Sequence, residues 1–127
     1  MGQVIEIKCN QCGYSKEFYL GMGMRDCDKK VVEKYFTSPK AKEILNSGDS
    51  WCFNWKLAKC HTCRKLMRIP FLDIFNEIEG KYEFVETVCC GKQIDNVLTI
   101  PESANELYIQ CPKCEEKLEV TETMLWD

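Results

Sequence analysis

A single histidine, His61, stands in 127 residues. That scarcity, with the absence of a Ser-His-Asp order, a glycine-rich phosphate cradle and a His-Glu-x-x-His pair, removes the usual signatures of hydrolytic and phosphoryl-transfer chemistry. No run of eighteen apolar residues occurs, so no membrane-spanning helix is predicted. The opening MGQVIEIKC has no basic segment leading into an apolar core, which predicts no export signal and a place in the reducing cytoplasm. No segment is of low complexity.

What the chain has in quantity is cysteine, at ten positions. In a reducing compartment persistent disulfides are rare, and Cys-x-x-Cys pairs read as metal-binding or redox motifs. Three such pairs begin at positions 9, 60 and 111, and Cys89-Cys90 adds two adjacent thiols. The regular interval of 51 residues invites a test for an internal repeat. Superposition sets Tyr14 on Lys65, Phe18 on Ile69 and Tyr19 on Pro70, so the interval is fortuitous. A redox thiol pair belongs at a helix N-terminus, where the dipole lowers its pKa, and none of these pairs falls at one.

The pattern around the cysteines is mainly that of short strands. Gln3 to Lys8 alternates through Ile5 and Ile7, and Ser15 to Leu20 through Phe18 and Leu20. Gly21-Met22-Gly23-Met24 is a bend that tucks its apolar side chains under the helical segment. Between residues 28 and 47 the period becomes helical, with Val31, Val32, Tyr35 and Phe36 in one group and Ile44 and Leu45 in another. Ser38-Pro39 starts a second helix and Gly48 ends it, so two short helices meet near Thr37. Trp51, Phe53, Trp55 and Leu57 mark a strand with an aromatic face. The runs Leu66 to Phe75 and Tyr82 to Val88 flank a hairpin at 77–80, with Pro70 implying an edge or bulge. Further strands are predicted at Gln93 to Ile100, Leu107 to Gln110 and Lys117 to Thr121.

Two Cys-x-x-Cys turns make the tetrahedral all-thiolate shell that suits Zn(II). Cys9, Cys12, Cys60, Cys63, Cys111 and Cys114, with Cys89 and Cys90 as an irregular fourth half-site, give eight thiols, the number for two zinc ions per chain. The segments Glu6-Ile-Lys-Cys-Asn-Gln-Cys-Gly-Tyr14 and Leu107-Tyr-Ile-Gln-Cys-Pro-Lys-Cys-Glu115 resemble zinc-ribbon knuckles, and the first is similar to the knuckle of rubredoxin-like folds. The resemblance covers the knuckles and their adjoining strands. It implies paired knuckles at hairpin tips, with the six cysteines of the three pairs as ligands. Arg64 and Glu115 stand where that class commonly has glycine. Thr87-Val-Cys-Cys-Gly91 resembles a knuckle whose first cysteine is replaced by Thr87, and Cys27, Cys52 or His61 is the substitute ligand if Cys89 fails. Otherwise Cys27 and Cys52 read as small buried apolar residues, and His61 as an exposed or packing residue.

Shorter loops favour sequential pairing, Cys9/Cys12 with Cys60/Cys63 and Cys89/Cys90 with Cys111/Cys114, across 47 and 20 residues. The alternative joins Cys60/Cys63 to Cys111/Cys114. The expected architecture is α+β: small antiparallel sheets of zinc-ribbon type with a two-helix insertion near residues 28–47. One compact domain spans 1–127, with a first metal lobe of about 1–68 and a second of about 69–127.

Closed all-cysteine shells leave no open coordination position, so the expected role is a structural zinc protein and not an enzyme. The first functional reading is a protein-interaction module or adaptor, for which Trp51, Phe53, Trp55, Phe71 and Phe75 are either surface or core. The second is nucleic-acid binding through Lys56, Lys59, Arg64, Lys65 and Arg68 in the basic segment 56–68. Charge is uneven: residues 25–70 carry 11 basic and 5 acidic side chains, whereas 71–127 carry 4 and 13. The acidic half and the pI near 5.3 of the whole chain oppose phosphate unless the carboxylates face away. An iron redox protein is the third reading, because a tetrathiolate shell also accepts iron.

Overall fold

The computed structural model describes residues 2–94, 96–98 and 107–126. Strand β1 covers Gly2–Lys8, β2 Ser15–Gly21, β3 Ser50–Lys59, β4 Leu66–Asn76, β5 Gly80–Phe84, β6 Val88–Cys89, β7 Lys92–Gln93 and β8 Glu119–Trp126. Six of them form an antiparallel sheet in the order β5-β4-β3-β2-β1-β8, beside a two-stranded ribbon of β6 and β7. Between β2 and β3 come a single 3₁₀ turn, Met24–Cys27, and two short helices, α1 (Lys29–Glu33) and α2 (Pro39–Leu45).

The helices begin where their caps dictate. The Asp28 carboxylate accepts from the Lys30 amide at 2.9 Å, and the Ser38 hydroxyl from the Lys40 amide at 3.2 Å with Pro39 next in line. Both helices are too short to stand alone. They are held by the junction between them, where Glu86 accepts from the backbone of Thr37 and Ser38 at 2.6 and 2.8 Å, and by the apolar face they cover. On that face Val32, Phe36, Ala41, Ile44 and Leu45 pack on Phe53, Leu72 and Ile74. Phe53 is fully buried, with Tyr35 at 5.1 Å, Trp55 at 5.3 Å and Phe36 at 6.2 Å between ring centroids. The aromatic run is therefore mostly core: Phe71 is buried, Trp51 and Trp55 are half-buried, and Phe75 alone of the five is exposed. The glycine-methionine bend turns as predicted, its Gly23 amide bonded to the buried Asp26 carboxylate, which also accepts from the Tyr35 hydroxyl at 2.7 Å.

Pro70 sits inside β4 opposite Trp55, at a point that the β5 ladder does not reach, since β5 pairs only with Leu72–Asn76. The missing amide thus falls where β4 is itself an edge. The last part of the chain departs most from the expected strands. Of the strand predicted at Gln93 to Ile100, Lys92–Gln93 and a bridge of Val97 to Ala58 are seen, and residues 95, 99 and 100 lie outside the described residues. Leu107 to Gln110 contributes a single bridge, Gln110 to Lys117. The final strand runs to Trp126 and lies along β1, from Lys8 opposite Glu119 to Gly2 opposite Trp126. That ladder makes β1 an interior strand. It closes a second core in which Ile5, Ile7, Phe18, Leu20, Leu57 and Leu66 meet Leu107, Ile109, Leu118 and Val120.

Truncating Phe53 to Ala should cost about 3–5 kcal/mol in denaturant unfolding. Ile78→Ala, at a side chain 94% exposed, should leave the midpoint unchanged. Equal midpoints for the two variants would contradict this assignment of the core.

Candidate metal centres

Every half-site lies at the tip of a hairpin. The turn between β1 and β2 holds Cys9 and Cys12, that between β3 and β4 holds Cys60 and Cys63, and that between Gln110 and Lys117 holds Cys111 and Cys114. These three share one backbone pattern. The first cysteine donates to the carbonyl five residues on, at 2.7–3.0 Å (Cys9 to Tyr14, Cys60 to Lys65, Cys111 to Glu116). The residue after the second cysteine returns a bond to the first cysteine's carbonyl, at 2.9–3.2 Å. That returning residue is left-handed each time: Gly13 at φ 79°, Arg64 at 63° and Glu115 at 66°. Glycine adopts this conformation freely, while Arg64 and Glu115 each carry a strain on the order of 1 kcal/mol. The missing glycines thus leave the turn unchanged. The two strained residues also meet, Arg64 Nη1 donating to Glu115 Oε1, which sets the second and third knuckles side by side.

Cys89 and Cys90 are arranged differently, and the knuckle expected at 87–91 is corrected. Val88 pairs with Gln93 and Cys89 with Lys92, so Cys90-Gly91 is a two-residue hairpin turn. Both turn residues have positive φ, 55° and 76°, as a tight turn of the I′ kind requires. The left-handed Cys90 allows two adjacent thiols to face the same point.

The eight thiols converge in two groups, Cys9, Cys12, Cys111 and Cys114 in one, and Cys60, Cys63, Cys89 and Cys90 in the other. Within each group all the sulfurs lie within 4.8 Å of one another. Separations are 3.4 Å for Cys9–Cys114, 3.5 Å for Cys12–Cys111, 3.6 Å for Cys63–Cys89 and 3.9 Å for Cys89–Cys90. A tetrahedral shell with metal–sulfur bonds of about 2.3 Å has edges of about 3.8 Å, so each group can hold one metal ion. All ten cysteines are free thiols.

Both pairings weighed from the sequence are wrong. The chain nests one site inside the other, with 98 residues between Cys12 and Cys111 and 25 between Cys63 and Cys89. Each doubling of a loop costs only about 0.6 kcal/mol, which the β1–β8 ladder and its buried side chains outweigh. A boundary at residue 68 therefore does not separate the two groups. The signal available in the sequence was the similar approach to two knuckles, Ile5 and Ile7 before Cys9 and Leu107 and Ile109 before Cys111. All four residues share one core.

The thiols in each group are not alike. The amide of Cys12, with that of Gln11, holds Cys9 down at about 7, and the amides of Cys63 and Thr62 hold Cys60 at about 6. Neighbouring thiols push Cys89 up to about 12, Cys63 most strongly. Cys114 reaches about 12 although the Glu116 amide pulls it down, because burial and the thiols of Cys9, Cys12 and Cys111 prevail. Cys12 is raised, against the pull of the Tyr14 amide, by burial and by Cys111, and Cys90 is raised chiefly by Cys63. Four thiolates this close repel one another, and a divalent cation among them removes the repulsion.

The other residues singled out lie elsewhere. Cys27 is exposed, where burial was expected, and Cys52 is half-buried beside Asn54 Nδ2. His61 is exposed on the rim of a cleft with Lys59 and Lys92, and none of the three substitutes joins a group of four. The five basic residues do not form one stripe. Lys56 and Lys59 project from opposite faces of β3 by strand alternation. Lys56 Nζ sits 4.1 Å from the Phe71 ring, Arg68 stacks 4.0 Å from Trp55 and donates to the Tyr19 carbonyl at 3.2 Å, and Arg64 is paired with Glu115. Lys65 is exposed. Among the described residues, no helix is long and apolar enough to cross a membrane. No protein-family model, curated protein or solved structure matches the chain.

Metal binding should release at least two protons per ion near neutral pH, from Cys12 and Cys114 in one group and Cys89 and Cys90 in the other. Affinity should consequently fall as pH falls, because protons compete for those sulfurs. Calorimetric titration with Zn(II) in buffers of different ionisation enthalpy reads the proton count. A pH-independent affinity would contradict the assignment.

Proposed function

We propose that the chain is a structural zinc protein holding two Zn(II) ions, which serves as a protein-interaction module and performs no catalysis of its own. The observation that carries the metal reading is the convergence of eight cysteine sulfurs into two groups of four. Soft thiolate shells suit zinc. The wide spacing of the first group's pairs and the adjacent cysteines of the second depart from the compact rubredoxin arrangement that the iron reading needs. Four thiolates fill a tetrahedron and leave no position for a water or substrate, which supports a structural role. Structural zinc contributes apparent binding free energy of roughly 10–16 kcal/mol in small peptides, enough to replace much of a core. The nucleic-acid reading is the weaker one, because Lys56, Arg64 and Arg68 are engaged by Phe71, Glu115 and Trp55.

Native mass spectrometry should find two zinc ions on a colourless chain. Cys114→Ser should leave one, and Cys27→Ser, outside both groups, should keep two. Colour from bound iron, or two ions retained in Cys114→Ser, would refute the assignment. Complete chelation should abolish the near-UV circular dichroism of the buried aromatics, and an unchanged spectrum would show that the metal does not hold the fold. Failure to bind DNA or RNA at any salt concentration is expected of the interaction module, whereas retention that weakens with salt would move the function to nucleic acid.

A further inference from the structure

The two groups of thiols are set into the molecule at different depths. In the outer group, Cys9, Cys12, Cys111 and Cys114, the first and third residues have no exposed surface and belong to the core of Ile5, Ile7 and Leu118. In the inner group only Cys60 is buried, while Cys89 is half-buried and Cys63 and Cys90 are exposed. Support differs in the same sense. The β1–β8 ladder beside the outer group runs the whole length of β1, whereas the ribbon that carries Cys89 is held by two pairs, Val88–Gln93 and Cys89–Lys92. A cleft of about 210 Å³, with Lys59, Thr62 and Lys92 among its walls, opens against Cys60 and Cys89. The described segment 96–98 leads away from this tip, since Asn96 accepts from the Lys59 amide and Leu98 donates to the Leu57 carbonyl farther down β3.

Oxidation of a thiolate follows its exposure, and a lightly supported element opens at lower cost than one bound into a core. Cys12 is also exposed, but it faces the fully buried Cys111 at 3.5 Å, so joining thiols of the outer group disturbs the core on which β8 rests. In the inner group the Cys63 sulfur lies 3.6 Å from that of Cys89, and Cys89 lies 3.9 Å from Cys90. The adjacent pair is the poorer couple, because consecutive Cα atoms stand about 3.8 Å apart and a disulfide ordinarily spans about 4.4–6.8 Å. We infer that the inner group is an oxidative modification site, at which hydrogen peroxide joins Cys63 to Cys89 as a disulfide and expels the metal ion, while the outer group keeps its own. The exposed Cys63 thiolate attacks the peroxide: an S–O bond forms, the O–O bond breaks and hydroxide leaves. The Cys89 thiolate then attacks the Cys63 sulfur, the S–S bond forms, the S–O bond breaks and a second hydroxide leaves. Two thiolates have thus passed two electrons to one peroxide, and two protons from solvent turn the hydroxides into water. Cys60 and Cys90 remain as half of a tetrahedral shell, too few to retain zinc, which passes to water. The inference rests on the structural zinc reading and adds to it a difference between the two ions.

The test uses the full chain, with its two zinc ions counted by native mass spectrometry before any oxidant is added. One equivalent of hydrogen peroxide should release one zinc ion per chain, read with a chromogenic zinc indicator. Peptide mapping after alkylation should find the Cys63–Cys89 disulfide and recover Cys9, Cys12, Cys111 and Cys114 as thiols. Under excess peroxide the second ion should leave about tenfold or more slowly than the first. Cys27→Ser removes an exposed thiol outside both groups and should change neither rate nor product. First oxidation within the outer group, loss of both ions at one rate, a disulfide other than Cys63–Cys89, or slower release in Cys27→Ser would each overturn the inference. A chain that carries no zinc at the outset would instead fail the metal reading, and mapping its peroxide product would still decide which group is oxidised first.

Discussion

Cys9 and Cys12 meet Cys111 and Cys114 with β8 lying beside β1, and among the described residues β8 has no other neighbour in the sheet. The first group of thiols and the β1–β8 ladder are thus one constraint expressed twice, as four thiols meeting at the hairpin tips and as backbone bonding along the strands. The core around Ile5 and Ile7 depends on it as well. Ile109, Leu118 and Val120 belong to the returning segment and would face water without it. Once this end is closed, β2 is held on β1, and the long β3–β4 hairpin packs Leu57 and Leu66 into the same core.

The second group works on a different part of the molecule. It ties the tip of the β3–β4 hairpin to the small β6–β7 ribbon, over a minor core of Ala58, Cys60, Ile69 and Ile94. Both centres rely on left-handed residues at the turns, and three of these are not glycine: Arg64, Cys90 and Glu115. The strain they carry is small beside the free energy of a structural metal site, on the order of 1 kcal/mol each against roughly ten or more. The helical face packs a separate cluster, in which Phe53, Tyr35 and Phe36 meet and no cysteine takes part.

Local features were legible in the sequence wherever a short-range rule governs them. Ser38-Pro39 started α2, which ends at Leu45 with Asn46 as its cap, ahead of the expected Gly48; strand alternation placed β1, β2 and β3, and Cys-x-x-Cys spacing marked three turns that share one hydrogen-bond pattern. The features that escaped are long-range. Loop-closure entropy separates the possible pairings of the half-sites by less than the burial of a few side chains, so it misranked them, and the nested arrangement comes from β8 reaching β1. At Cys89-Cys90 the turn type decides the matter, and a Cys-Gly hairpin with two positive φ angles lies outside the knuckle pattern that the motif suggested. The basic segment 56–68 is continuous in sequence, whereas the alternation of β3 sends Lys56 and Lys59 to opposite faces.

Nesting also sets an order in time. As the chain leaves the ribosome, the inner group is complete once Cys90 has emerged, while Cys9 and Cys12 wait for Cys111 and Cys114. During that interval β1 lacks its outer neighbour, and two thiols made early stand without the partners made late. The inner group is therefore the first whose four thiols could take a metal ion, and the outer one is completed last.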